Sequence, residues 1–114
     1  MVKDNRSVCV HHLLRKVLEA HMTTTNINET LDQRGRRYGL FTGHAEITQH
    51  LKAYYREQLH SRGKLLDADM YEALDMIMHK IGRIVNGDPD YADSWVDIAG
   101  YAKLVSDRLE GLER

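Results

Sequence analysis

The chain is short of cysteine, proline and long apolar runs. Cys9, Pro89 and Trp95 are each the only residue of their type in 114. A lone Cys9 excludes an internal disulfide and fits a reducing compartment. The longest apolar runs fall far short of the roughly 20 residues a membrane-spanning helix needs, so no membrane partner is expected. Charge of one sign is missing too: 16 Lys and Arg stand against 17 Asp and Glu, for a formal net charge of -1. No long single-sign block appears, so general attraction to nucleic acid or anionic lipid is not indicated. P-loop, dinucleotide glycine fingerprint, nucleophile elbow and helix-turn-helix pattern are all absent, leaving nucleic acid a weak third choice of partner. No histidine or cysteine pair has zinc spacing on a convincing helix face. The N-terminal MVKDNRSVCVHHLLRKVLEAHM lacks the unbroken apolar core of a secretion signal, because His11, His12, Arg15 and Lys16 interrupt it. The expectation is a soluble cytoplasmic protein of about one domain.

What is present is helical periodicity. Apolar residues recur at three- and four-residue spacing and period-two alternation is scarce, so the sequence predicts an all-α fold, a small helical bundle. Val10, Leu13, Leu14, Val17 and Leu18 form one stripe of a helix from Val8 to His21. Met22 opens a polar stretch like a translation start, so residues 1–21 read as an appendage to a domain over 22–114. Asn26 or Asn28 is placed to cap a short helix through Leu31. QRGRRYGLFTGHA then interrupts the pattern with three glycines, and Ile47, Leu51 and Tyr54 mark a helix from about Gly43 to Leu59.

Two further helices, about 69–86 and 89–110, are joined by a short connection and form a C-terminal antiparallel hairpin. Met70, Leu74, Ile77, Met78, Ile81, Ile84 and Val85 make the core face of the first. The opposite face carries Glu72, Asp75, Met76, His79, Arg83 and Asn86. Gly87 suits the left-handed position past a helix end, and Asp88-Pro89 suits the N-cap and first position of the next helix. Trp95, Ile98, Ala102, Val105 and Leu109 form the apolar stripe of the second helix, with Trp95 expected inside. Gly100 suggests the close approach of another helix. A turn centred near Asp88 sets Arg83 beside Asp93 and His79 beside Asp97.

The stretch GDPDYADSWVD concentrates four aspartates. Asp88 reads as a cap, and Asp90 as a first-turn carboxylate favoured by the helix dipole. Asp93 and Asp97, one turn apart, could converge with Glu72 and Asp75 on one volume. Four carboxylates so close would raise one another's pKa unless a cation neutralised them, and oxygen ligands without a thiolate favour Mg²⁺ or Mn²⁺. The competing reading is a solvated stripe with Arg83 paired to Asp93, and on spacing alone that reading leads. Lys80 reads as a solvated flank, and His79 as a surface hydrogen-bonding partner of Asp97. Arg34, Arg36, Arg37 and Tyr38, set beside Gly35 and Gly39, suit either a solvated basic loop or a phosphate-and-base site.

RGRRYGLFTGHAEITQHL and ALDMIMHKIGRIVNGDPDYADSWVDIAGYAKLV together resemble a small family of phage- and prophage-encoded domains of unknown function, over residues 28–109. More distantly, the paired carboxylates resemble the all-α nucleotide pyrophosphohydrolases of the MazG type. That family's E-x-x-E motif is met by Glu72-Ala-Leu-Asp75 with one Asp for Glu. Its E-x-x-D motif is met by Ser94-Trp-Val-Asp97 only at the last position, with Asp93 a candidate substitute. The resemblance implies a homo-oligomeric, Mg²⁺- or Mn²⁺-dependent enzyme converting a nucleoside triphosphate to monophosphate and pyrophosphate. Glu72, Asp75 and Asp97 would be catalytic, Glu72, Asp75, Asp93 and Asp97 would hold the metal, and Arg37, Tyr38 and Arg83 would hold the nucleotide. The alternative is a non-enzymatic phage accessory protein that binds a nucleotide or a host protein.

Overall fold

The computed structural model describes residues 26–114. Two compact units divide the chain, residues 1–34 and 35–114. The expected helix over Val8–His21, Cys9 and the boundary at Met22 lie outside the described residues. Residues 26–34 of the first unit are helical, and the second unit opens with four helical residues, 35–38. The predicted stop at Leu31 is therefore too early. Gly35 is exposed on a helix, where it costs only about 1 kcal/mol relative to Ala. The true break is two residues long, and it falls where Gly39 adopts a φ of 78°, a left-handed conformation glycine enters without a Cβ clash.

Beyond that break come α1 (Phe41–Ser61), α2 (Ala68–Asn86) and α3 (Ala92–Leu109). No strand occurs among the described residues, and the class is all-α. Helix α2 is central, packing on α1 and on α3, and the α2–α3 pair is the predicted hairpin. Its closed end departs from the expected turn. Asp88 Oδ1 accepts the Asp90 N–H at 2.9 Å, an Asx-type turn over Asp88–Tyr91, so α3 begins at Ala92 rather than Pro89. Tyr91 occupies the N-cap with no side-chain cap bond.

The longer turn shifts the register by one residue. Ser94 is buried against α2, while Ile98, Tyr101, Val105 and Arg108 are half-buried. Trp95 is 54% exposed, which corrects its expected burial. Its indole N–H donates to the Pro89 carbonyl at 2.9 Å. A one-residue offset turns a helix by about 100°, enough to replace Trp95 with Ser94 at the contact. Gly100 faces open space: a methyl group on its Cα would meet nothing within 4 Å, so no helix approaches it within this unit.

The most deeply buried positions are polar or small. Among the described residues the only buried hydrophobic one is Ala73, whereas His44, Thr48, Lys80, Ser94 and Asp107 are buried. The expected core face of α2 is incompletely sealed: Met70, Leu74, Ile77, Met78, Ile81 and Ile84 are half-buried and Val85 is exposed. Gly82 permits the approach of α1, since a Cβ there would collide with Thr48 Oγ1 and the His44 ring. The open end of the hairpin is clamped by Arg108, whose Nε donates to Asp69 Oδ2 at 2.8 Å while its terminal nitrogen reaches Asp67 Oδ2 at 3.0 Å.

Candidate ligand site at the closed end of the hairpin

Residues 37–39 and 86–91, distant in sequence, lock together. Asn86 Nδ2 donates to the carbonyls of Tyr38 at 2.8 Å and Leu40 at 2.9 Å, satisfying the Tyr38 oxygen at the helical break and sharing the Leu40 oxygen with the His44 N–H. The Asp88 N–H donates to the Arg37 carbonyl at 2.7 Å. Gly87 has a φ of -134°, so the left-handed role expected for it is not the reason for glycine there. Space is the reason: a Cβ on Gly87 would collide with the Arg37 carbonyl oxygen and the Tyr38 Cα.

This lock assembles two cations and two aromatic rings. The Arg37 guanidinium lies 3.9 Å from the Tyr91 ring centroid, and that of Arg83 lies 4.3 Å from the Tyr38 centroid. The two rings meet edge-on with centroids 6.1 Å apart. Stacking on an aromatic face fixes a guanidinium plane while leaving its N–H edge free. Neither Arg37 nor Arg83 makes an ion pair among the described residues. The predicted pairing of Arg83 with Asp93 is thus replaced by Arg83 on Tyr38. Asp93 instead accepts the Tyr91 hydroxyl proton at 2.7 Å, a bond that raises the Tyr91 pKa. Of the residues expected to hold a nucleotide, Arg37, Tyr38 and Arg83 do come together. Tyr91, the fourth member, sits inside the aspartate-rich stretch without a sequence signal of its own.

The acidic residues do not gather in the same way. Asp75 faces α1, where it accepts the Tyr55 hydroxyl proton and pairs with Arg56 at 2.8 Å. Burial, and next this bond to Asp75, push the Tyr55 hydroxyl up to about 12. Asp97 pairs with Lys80 at 2.9 Å, so the alignment of His79 with Asp97 is off by one residue and Lys80 is buried rather than solvated. Glu72 lies at the far end of the hairpin, lining a recess of about 650 Å³ with Asp67, Asp69, Tyr101, Leu104 and Arg108. Among the described residues no group of three or more His, Cys, Asp or Glu is placed to hold a metal ion. Asp75, Asp93 and Asp97 each have a partner of their own: Tyr55 and Arg56, Tyr91, and Lys80 respectively.

The class the geometry defines is a small all-α domain with a stacked arginine–tyrosine cluster at one end of a helical hairpin. The family model described as Domain of unknown function (DUF6378) matches residues 22–109, and the chain belongs to that family. No curated protein and no solved structure matches the chain. No helix among the described residues is long and apolar enough to cross a membrane.

Proposed function

We propose that the chain binds a nucleotide, or a closely related ligand joining phosphate to an aromatic ring, at the Arg37–Tyr38–Arg83–Tyr91 cluster. The observation that carries this reading is the pair of stacked guanidinium groups, which have no carboxylate partner among the described residues. Their planar N–H forks match phosphate oxygens, and neighbouring tyrosine rings offer faces or edges to a base. The Asn86 and Gly87 lock holds the cluster in place before any ligand arrives, which lowers the ordering cost of binding.

Mg²⁺-dependent cleavage of a nucleoside triphosphate, as the MazG resemblance implies, is the second reading. What favours it is that Asp93 borders the cluster through Tyr91. Phage or prophage origin and a cytoplasmic location accompany both readings as proposals, and so does self-association, which the exposed Trp95, Val96, Leu104 and Leu109 on α3 support.

Calorimetric titration with a panel of nucleotides, with and without Mg²⁺, followed by product analysis, tests both. Binding without turnover, weakened at least tenfold by Arg83→Gln, is expected. Release of pyrophosphate would favour the hydrolase, and absence of any binding at millimolar nucleotide would sink both.

A further inference from the structure

Helices α1 and α3 make no contact with each other, and both run antiparallel to α2. Lys80 and Asp69 of α2 meet α3, whereas Gly82 and Asp75 meet α1. At about 100° per residue those two pairs stand about 160° apart around the helix, so α1 and α3 flank α2 on nearly opposite sides. The three helices therefore form one layer with two faces. On one face α2 presents Glu72, Met76, His79 and Arg83, and the recess shared by Glu72 and Leu104 of α3 opens on that side. On the other it presents Leu74, Met78, Ile81 and Val85. The same rotation, applied to antiparallel neighbours, adds Ile47, Leu51 and Tyr54 of α1 and Trp95, Ala102 and Leu109 of α3 to this second face. None of these residues is charged and none is buried. Tyr54, Val85, Trp95 and Leu109 are each more than half exposed.

We propose that this uncharged face, centred on Leu74, Met78, Ile81 and Val85 of α2, is a two-fold interface on which the same face of a second copy of the chain packs as the missing second layer. The proposal rests on the self-association reading and names its surface. A domain core ordinarily lies between two packed layers, and the helices of this unit supply one. The face offers on the order of 700 Å² of apolar surface, close to the ~800 Å² per partner of a standard stable interface. Its width fits a second copy: three helices abreast span about 30 Å, of which a single further helix would cover about a third. So does its lack of charge. A two-fold interface sets one patch against itself, which an uncharged apolar surface allows without any pattern of counter-charges. Arg83 lies on the opposite side of α2, so each copy keeps its own arginine–tyrosine cluster open to ligand.

Val85 and Val96 make a matched pair for the test, being 64% and 65% exposed, with Val85 on the face and Val96 on the side of α3 turned away from α2. Trp95, the chain's only tryptophan, reports whether the face is covered. The full chain would be followed by light scattering and tryptophan emission over a dilution series. At micromolar concentration it should have the mass of two chains, and dilution should halve the mass and shift the emission to the red together. Val85→Glu should raise the dissociation constant at least 100-fold, and Val96→Glu should leave it within about threefold. If Val85→Glu does not fold, the wild-type chain decides: its melting temperature should rise with concentration, and its Trp95 emission should stay blue-shifted only while it is dimeric. A two-chain mass with solvent-like Trp95 emission, or equal effects of the two glutamate variants, overturns this face and keeps self-association through another. A one-chain mass at micromolar concentration, whatever the emission, overturns both.

Discussion

The Lys80 ammonium lies 2.9 Å from Asp97 Oδ2, joining a residue of α2 that is 9% exposed to a carboxylate of α3 that is 46% exposed. The chain thus supplies its own cation at the position where a divalent ion was expected. Removing the carboxylate leaves a buried ammonium without its partner. Asp97→Asn should destabilise by about 1–3 kcal/mol in chemical denaturation, below the full cost for a buried pair because the carboxylate is half in water. A four-carboxylate cluster predicts the opposite sign, since losing one charge would relieve repulsion. Equal or greater stability of the variant would therefore argue for a gathered acidic site.

Asn86 offers a second test. Asn86→Ala strands the Tyr38 carbonyl and leaves the Leu40 oxygen only the His44 N–H, at a cost of about 1–2 kcal/mol. Gly87→Ala should cost at least as much, because the added methyl meets backbone rather than a movable side chain. Both should weaken nucleotide binding through loss of the Arg37 and Tyr38 placement. A stable Gly87→Ala protein with unchanged binding would show that the lock does not position the cluster.

Acid should weaken the fold through two groups. The folded pKa of His79, about 4, lies below the ordinary 6.5, so the unfolded chain takes up protons first. Stability therefore falls as pH drops from 6.5 toward 4, by about 1 kcal/mol once screening of this part-exposed ring is discounted. Asp69, held below its ordinary value chiefly by its bond to Arg108, contributes above the unfolded carboxylate range and loses that contribution as pH falls through it. Denaturation midpoints measured from pH 8 to about 2.5 should decline, and His79→Gln should remove the part between 6.5 and 4.5. A profile flat between 6.5 and 4.5 would contradict the His79 assignment, and one flat below about 4 the Asp69 assignment.

Trp95 no longer carries the cost expected of a buried indole. Trp95→Ala should destabilise the isolated unit by about 1 kcal/mol, far less than the 3–5 kcal/mol of a core aromatic. Its larger effect should be on assembly. Light scattering of the full chain at micromolar concentration should give a mass above the 13.2 kDa of one chain, and Trp95→Ala should lower it. A wild-type mass of one chain would remove the self-association proposal.

The helical class, the hairpin and the span of α2 were legible because spacing at three and four residues survives whatever the neighbours do. Which face turns inward was less so. The sequence predicts α3 starting at Pro89, but Asp88 forms its own turn and delays the helix to Ala92, enough to exchange His79 for Lys80 opposite Asp97 and Ser94 for Trp95 at the contact. Arg37, Tyr38 and Arg83 were recognisable as residue types suited to phosphate. Their joining through Tyr91 and Asn86 was not, because side-chain bonds between segments about 48 residues apart leave no periodic trace.

With most of its inward apolar residues half-buried and Ala73 the only fully buried hydrophobic one among those described, unfolding of this unit exposes less new apolar surface than a sealed core of the same length would. Heat capacity measures that exposure, since apolar hydration raises it and polar hydration lowers it. A single unit should accordingly melt with a small heat-capacity increment and a broad, shallow stability curve that resists cold better than heat. An increment of ordinary size for its length would mean that apolar surface is being covered by something outside the unit. Calorimetry can thus detect such a cover before its identity is known.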